Sequence, residues 1–217
     1  MAADAKGMMQ GRHGSEGKAG EILDRIATTV ARKGLDGASM QDLAASAGMS
    51  VGNFYRYYPS KIALVTALVD QCASDVRADF AAALDAADPV EGMRAILDKN
   101  LFAMSRDEAA LWLQIDAAAL VHPEIAAVKA EMDRSIEDNV FRLVGRLAGP
   151  GAEDSAVVGE VAEFLLLFCS SLFRQRAFED EASFLPKARR MTDRLFAWAQ
   201  SELGSARAAE QPLKVAS

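Results

Sequence analysis

The chain has 217 residues, 51% of them hydrophobic and 25% charged, with 24 Lys or Arg against 31 Asp or Glu for a formal net charge of −7. That balance excludes a disordered chain, and the length admits either one ordinary domain or a small domain fused to a larger one. The acidity would disfavour a polyanionic partner, but residues 1–62 hold eight basic against six acidic side chains, a balance of +2 that leaves −9 for the rest.

Residues 1–18, MAADAKGMMQGRHGSEGK, are Gly-rich and polar without a hydrophobic period. A mobile arm is expected there, with Arg12, His13 and Lys18 either solvated or touching a DNA minor groove. From Gly20 the pattern turns helical: Ile22, Leu23, Ile26, Ala27 and Val30 share a face, and Gly34 is placed to stop the helix. Ser39 caps a short second helix with Met40, Leu43, Ala44 and Ala47 facing inward, and Gly48 supplies a tight turn. A third helix starts at Ser50 and ends near Tyr57, because the residue before Pro59 disfavours the helical conformation.

Later prolines and glycines punctuate the chain in the same way. Asp88-Pro89-Val90-Glu91 and His122-Pro123-Glu124 read as helix starts, Gly149-Pro150-Gly151 as a break, and Pro186 as near the beginning of the last helix. The spacing predicts helices over 60–86, 89–105, 107–120, 123–148, 153–178 and 184–203, with no convincing strand. The expected fold is all-α, with about nine helices. It divides into an arm (1–18), a three-helix helix-turn-helix domain (19–64), a larger helical domain (65–204) and a flexible tail (205–217).

The longest apolar run, Phe164 to Cys169, is far short of the ~20 residues that span a bilayer, and the start lacks an apolar signal segment, so a cytoplasmic protein without a membrane partner is expected. Cys72 and Cys169 sit in apolar helical patterns, where buried thiols without a disulfide are the usual finding.

Residues 39–58 form a short helix, a Gly-Met turn and a second helix whose first turn, Ser50-Val51-Gly52-Asn53, is small and polar. This is the pattern of a helix-turn-helix DNA reader. Leu43, Ala44, Ala47, Met49 and Phe54 hold the two helices against the first, leaving an edge to enter the major groove. Over about 50 residues, from GEILDRIATTV to KIALVTAL, the sequence resembles the DNA-binding domain of the TetR family of bacterial repressors. The features that carry the likeness are the Ser-capped Leu-Ala helix, the turn Ala47-Gly48-Met49-Ser50, and above all Gly52-Asn53-Phe54-Tyr55-Arg56-Tyr57-Tyr58-Pro59-Ser60-Lys61.

The resemblance implies a role for each position. Ser39 and Ser50 cap helices and face phosphates, while Met40 and Gln41 stand at the exposed start of the second helix. Val51 and Asn53 project toward base edges, and Gly52 permits close backbone approach. Tyr55, Tyr57 and Lys61 meet the phosphate backbone, which positions the protein without specifying sequence. Phe54 and Tyr58 are expected in the core. Gly52 costs a helix about 1 kcal/mol relative to alanine, so its presence asks for a reason outside the helix.

The resemblance also implies that a fourth helix links the reader to a small-molecule pocket and that the last two helices form a homodimer. The stripe Val157, Val161, Phe164, Leu165, Phe168, Leu172 and Phe173, with Leu195, Phe196 and Trp198, exceeds what one intramolecular packing needs. It serves as dimer face, as core, or as both. Candidate effector contacts are Phe102, Met104, Trp112, Gln114, Asp116, His122, Phe141, Phe168 and Cys169, a mixture of apolar walls and a few polar anchors. The expected protein is a repressor that binds a double-stranded, palindromic operator and releases it on binding an effector. A regulator without an effector, or an activator, remains the alternative. No phosphate-binding loop, nucleophile elbow or His/Cys cluster is present, so neither enzymatic activity, a cofactor nor a metal is expected.

Overall fold

A computed structural model describes residues 18–151 and 155–210; Arg12 and His13 of the expected arm, and residues 211–217 of the expected tail, lie outside the described residues. Among the described residues the chain is α-helical without strands: α1 (Lys18–Lys33), α2 (Met40–Ser46), α3 (Val51–Tyr57), α4 (Lys61–Asp85), α5 (Pro89–Leu97), α6 (Arg106–Ala119), α7 (Pro123–Ala148), α8 (Ala156–Arg176) and α9 (Glu181–Glu210).

The caps expected at Ser39, Ser50 and Asp88 are present, and Ser60, Ser105 and Ser155 add three more. Ser39, Ser50, Ser60, Asp88, Ser105 and Ser155 each accept a hydrogen bond from a first-turn amide, satisfying donors that have no partner inside the helix. Pro89 and Pro123 occupy first-turn positions, where a missing N–H costs nothing.

Two elements depart from expectation. The segment expected as one helix over 89–105 ends as α5 at Leu97 and continues through a single wide turn, Asp98–Phe102, closed by the Ala103 amide donating to the Asp98 carbonyl at 3.0 Å. Asn100 reaches back to the Ile96 carbonyl at 3.2 Å and, with Lys99, holds Asp79 of α4. These tertiary ties draw the extra residue into the turn. The last helix starts three residues before the expected 184 and runs past 203 to Glu210, with Pro186 inside it. Asp180 sets that start, its carboxylate accepting from the Ser183 amide (2.9 Å) and hydroxyl (3.0 Å). The Ser183 hydrogen bonds hold the Asp180 carboxyl below its ordinary pKa.

The core does not stop at residue 64. Ile26, Val30, Leu43, Ala44 and Phe54 of the first three helices share one buried cluster with Leu64, Val65 and Val69 of α4, Leu111, Ile115 and Ala118 of α6, and Ile125 and Met132 of α7. Helix α1 packs on α6, and α4 runs along α7. A second cluster joins α4 and α5 to α7, α8 and α9 through residues such as Phe80, Val144, Leu165 and Phe196. Two ion pairs tie the α5 region to α9, Arg94 with Asp193 (2.5 Å) and Arg189 with Asp98 (2.7 Å), and the Arg189 guanidinium also lies 4.5 Å from the Phe102 ring centre.

Candidate nucleic-acid interface

The reader is assembled from two seven-residue helices, too short to be stable alone, so caps and core anchors hold them. Ser39 and Asp42 form a reciprocal capping box at the start of α2. Asp42 also takes the Lys33 ammonium at 2.6 Å, and hydrogen bonds from Lys33 and Ser39 hold its carboxyl well below the usual carboxylate range. Gly48, at φ +67°, makes the turn between α2 and α3, a conformation in which a Cβ would be strained. Ser50 then caps α3 by accepting from the Asn53 amide.

Phe54 is the anchor of α3. It is completely buried, and the Tyr58 ring packs against it at a centroid distance of 5.2 Å. Tyr58 is half-buried against the first cluster, as the sequence suggested, and that burial raises its hydroxyl above its ordinary pKa. With Phe54 turned inward, Ser50, Val51, Gly52, Asn53, Tyr55 and Tyr57 form a contiguous exposed edge, Tyr57 at 63% exposure. At Gly52 an added Cβ would meet nothing within 4 Å, so nothing in the fold calls for glycine there. Ser39 and Gln41 are exposed beside this edge, whereas Met40 is half-buried against the first cluster. Lys61 is half-buried at the start of α4, and its Nζ donates to the Asp36 carbonyl of the α1–α2 connector at 3.1 Å.

Sequence reasoning passed over two cations. Arg56 is exposed in the last turn of α3, one helical turn from Asn53 and therefore on the same side of the helix; that spacing was the available signal. Arg25 of α1 is also exposed, with its guanidinium 3.9 Å from where a Gly48 Cβ would stand. Only the folded turn brings it to the reader.

The candidate effector contacts separate into groups. Phe102 and Phe168 meet in a third cluster with Leu101, Leu172 and Phe184. Met104 and Trp112 meet in a fourth with Ala109, Ala177 and Phe173, and Trp112 also touches the first cluster. Phe141 packs on the second cluster, as Phe168 does. Burial pushes the Cys169 thiol up to about 12, and Cys72 and Cys169 form no disulfide. Two of the polar candidates have partners in the fold. Gln114 Oε1 accepts from the Leu35 amide at 2.7 Å. Asp116 is exposed and pairs with Lys129 at 3.3 Å, while His122 is half-buried at the start of α7.

The long apolar stripe is divided. Val161, Leu165, Leu172, Leu195 and Phe196 are buried, and Val157, Phe168 and Phe173 are half-buried. Phe164, Leu167 and Trp198 remain exposed, Leu167 at 71%, with the Phe164 and Trp198 rings 4.9 Å apart across α8 and α9. Among the described residues, α8 alone is long and apolar enough to cross a membrane, with a mean hydropathy of 1.8 in its most apolar window. It packs between α7 and α9.

Residues 22–68 match the family model described as bacterial regulatory proteins, tetR family. The chain is 39% identical over 56 residues to an uncharacterised HTH-type transcriptional regulator, YvdT, of Bacillus subtilis strain 168, a match covering 26% of this chain and 29% of that protein. It is 26% identical over 148 residues to the HTH-type transcriptional regulator BetI of Agrobacterium fabrum strain C58, covering 67% and 71% of the two chains. A solved structure of a proposed transcriptional regulator from Pseudomonas aeruginosa PAO1 has the same fold, with a TM-score of 0.69 at 21% identity over 89% of this chain and 93% of that one.

Proposed function

We propose that this chain, whose residues 22–68 match the model of the tetR family of bacterial regulatory proteins, is a regulator of that type that acts in the cytoplasm as a homodimeric repressor of a palindromic operator and is released by a small-molecule effector. The observation that carries the DNA half is the edge of α3: Phe54 is wholly buried while Val51, Gly52 and Asn53 stand exposed. In the major groove Val51 meets a thymine methyl and Asn53 a base edge, and the bare Gly52 lets the backbone approach. Ser39, Ser50, Tyr55, Tyr57 and Lys61 hold the phosphates, joined by Arg56 and Arg25, while Met40 and Gln41 at the start of α2 meet a phosphate or a base edge, the Gln41 amide being suited to adenine.

One recognition helix reads only a few base pairs, so two are needed, about one DNA turn or more apart. The exposed Phe164, Leu167 and Trp198 on α8 and α9 suit a two-fold contact in which each copy covers the other's apolar face. The effector is assigned to the apolar region between the second, third and fourth clusters, with Phe102, Met104, Trp112, Phe141, Phe168 and Cys169 as its walls. Binding there tilts α4, changes the separation of the two readers and weakens the operator complex.

The test is selection of bound fragments from the source genome with the purified protein, followed by a metabolite panel on the selected duplex. An enriched palindrome is expected, along with at least one compound that both raises the melting temperature and releases the DNA. A compound at 100 times its dissociation constant adds about 2.7 kcal/mol to stability. A compound that stabilises the protein yet leaves operator affinity unchanged overturns the release mechanism.

A further inference from the structure

The α1–α2 connector, residues 34–39, delivers Ser39 and the start of α2 to the DNA-reading edge, and side chains from outside it grip its backbone at two points. Lys61 of α4 donates to the Asp36 carbonyl, and Gln114 of α6 accepts the Leu35 amide at 2.7 Å across 79 residues of sequence. Helix α1 ends with the Gly34 amide donating to the Val30 carbonyl, and Gly34 turns the chain at φ +80°. Leu35 therefore presents its amide just past the helix end, half-buried, where an acceptor is required. A neighbouring carbonyl or serine could supply that acceptor locally. The chain instead uses the body of the larger domain.

Helix α6 is placed to make that grip informative. Trp112 and Gln114 are two residues apart, so they point in directions differing by about 200° around the helix. Trp112 packs into the fourth cluster beside Met104 and also reaches the first, while Gln114 faces the connector. The Arg176 guanidinium fixes the Met104 carbonyl just ahead of α6 at 2.9 Å. Displacement of α6 on the Trp112 side is thus carried by a rigid helix to the Leu35 amide, and from there over four residues to the cap of α2.

We propose that Gln114 is a positioning residue for operator reading: its side-chain carbonyl, through the Leu35 amide, sets the orientation of the α1–α2 connector and with it the reader relative to the larger domain. The inference rests on the dimeric operator reading given above. It adds a route through α6 that runs beside α4. A head held at one orientation in each copy of a dimer fits one half-site spacing and rejects others.

The experiment uses full-length protein and a pool of randomised DNA duplexes. The best duplex enriched by the wild type is resynthesised with its half-sites one base pair closer and one farther apart, and affinities are measured for the wild type, Gln114→Met, Gln114→Asn and Gln114→Glu. Gln114→Met removes the acceptor at similar volume, and it is expected to shrink the preference for the native spacing about fivefold, the factor one ordinary hydrogen bond carries. Base preference within each half-site should stay unchanged. Gln114→Glu keeps an acceptor and should keep the spacing preference. Should the methionine variant fail to fold, the asparagine variant, one methylene too short to reach Leu35, is read in the same way. Loss of affinity equally at all spacings, or a preference equal to that of the wild type, overturns the role of Gln114. A wild-type protein that enriches no duplex overturns the operator reading itself.

Discussion

Gly52 separates the demands of folding from those of recognition at a single position. Its missing side chain would meet nothing in the protein, and glycine inside a helix is worth about 1 kcal/mol less than alanine. Gly52→Ala is therefore expected to raise the unfolding free energy by about 1 kcal/mol in denaturant titration while lowering operator affinity about tenfold. Gains in both would mean that DNA does not approach the backbone there. Asn53→Ala should cost the best operator about 1 to 3 kcal/mol and relax preference at one base pair, measured with single-substituted duplexes. Asp42 offers a pH signature. Its carboxyl is held below the ordinary range by Lys33 and Ser39, so its contribution is present above the unfolded value of about 4 and is lost as pH falls through the folded one. Asp42→Asn should lower the melting temperature near neutrality, with the gap to wild type closing only in acid below about pH 4. At this scale the sequence revealed the edge of α3 because a cap, a turn and an inward phenylalanine are local facts. The partners of Gln114 and Asp116, Leu35 and Lys129, were not legible because they become neighbours only in the folded chain.

At the level of elements, the boundaries written by caps and prolines were legible and those written by tertiary contacts were not. Ser39, Ser50 and Asp88 start helices where expected. The wide turn at Asp98–Phe102 depends on Asp79, about twenty residues upstream, and periodicity alone reads straight through it. Pro186 pointed to a later start for α9, whereas the Asp180 cap outweighs the proline. The junction between α8 and α9 hangs on Arg176, 2% exposed, which donates to the carbonyls of Met104 (2.9 Å) and Glu179 (3.1 Å) and lies over the Phe184 ring. Arg176→Ala strips partners from buried carbonyls and leaves a void, so a loss of about 3 kcal/mol or more in equilibrium unfolding is expected. A loss under about 0.5 kcal/mol would show that water replaces the guanidinium without cost.

For the molecule as a whole, helical class and helix order were legible because amphipathic spacing and breakers recur along the entire chain. That helices from both expected parts share one buried cluster, running from Ile26 to Met132, is a tertiary fact that periodicity does not carry. The apolar face of α8 and α9 is tested by Leu167→Glu. The side chain is 71% exposed, so the monomer should fold with a melting temperature close to that of wild type. A buried, unpaired carboxylate should weaken a two-fold contact by about 3 kcal/mol or more. Sedimentation is expected to show monomers at concentrations where wild type is dimeric, and an unchanged dimer would move the interface elsewhere.

That shared first cluster also bears on the order of events during synthesis. A ribosome releases the DNA-reading helices first, but the side chains that close their core, Leu111, Ile115, Ala118, Ile125 and Met132, follow much later. At roughly 5–20 residues per second, several seconds separate emergence of the recognition helix from completion of its support. A chain terminated before Met132 thus lacks part of the core that supports α2 and α3, and such a fragment is expected to unfold more readily than the finished protein.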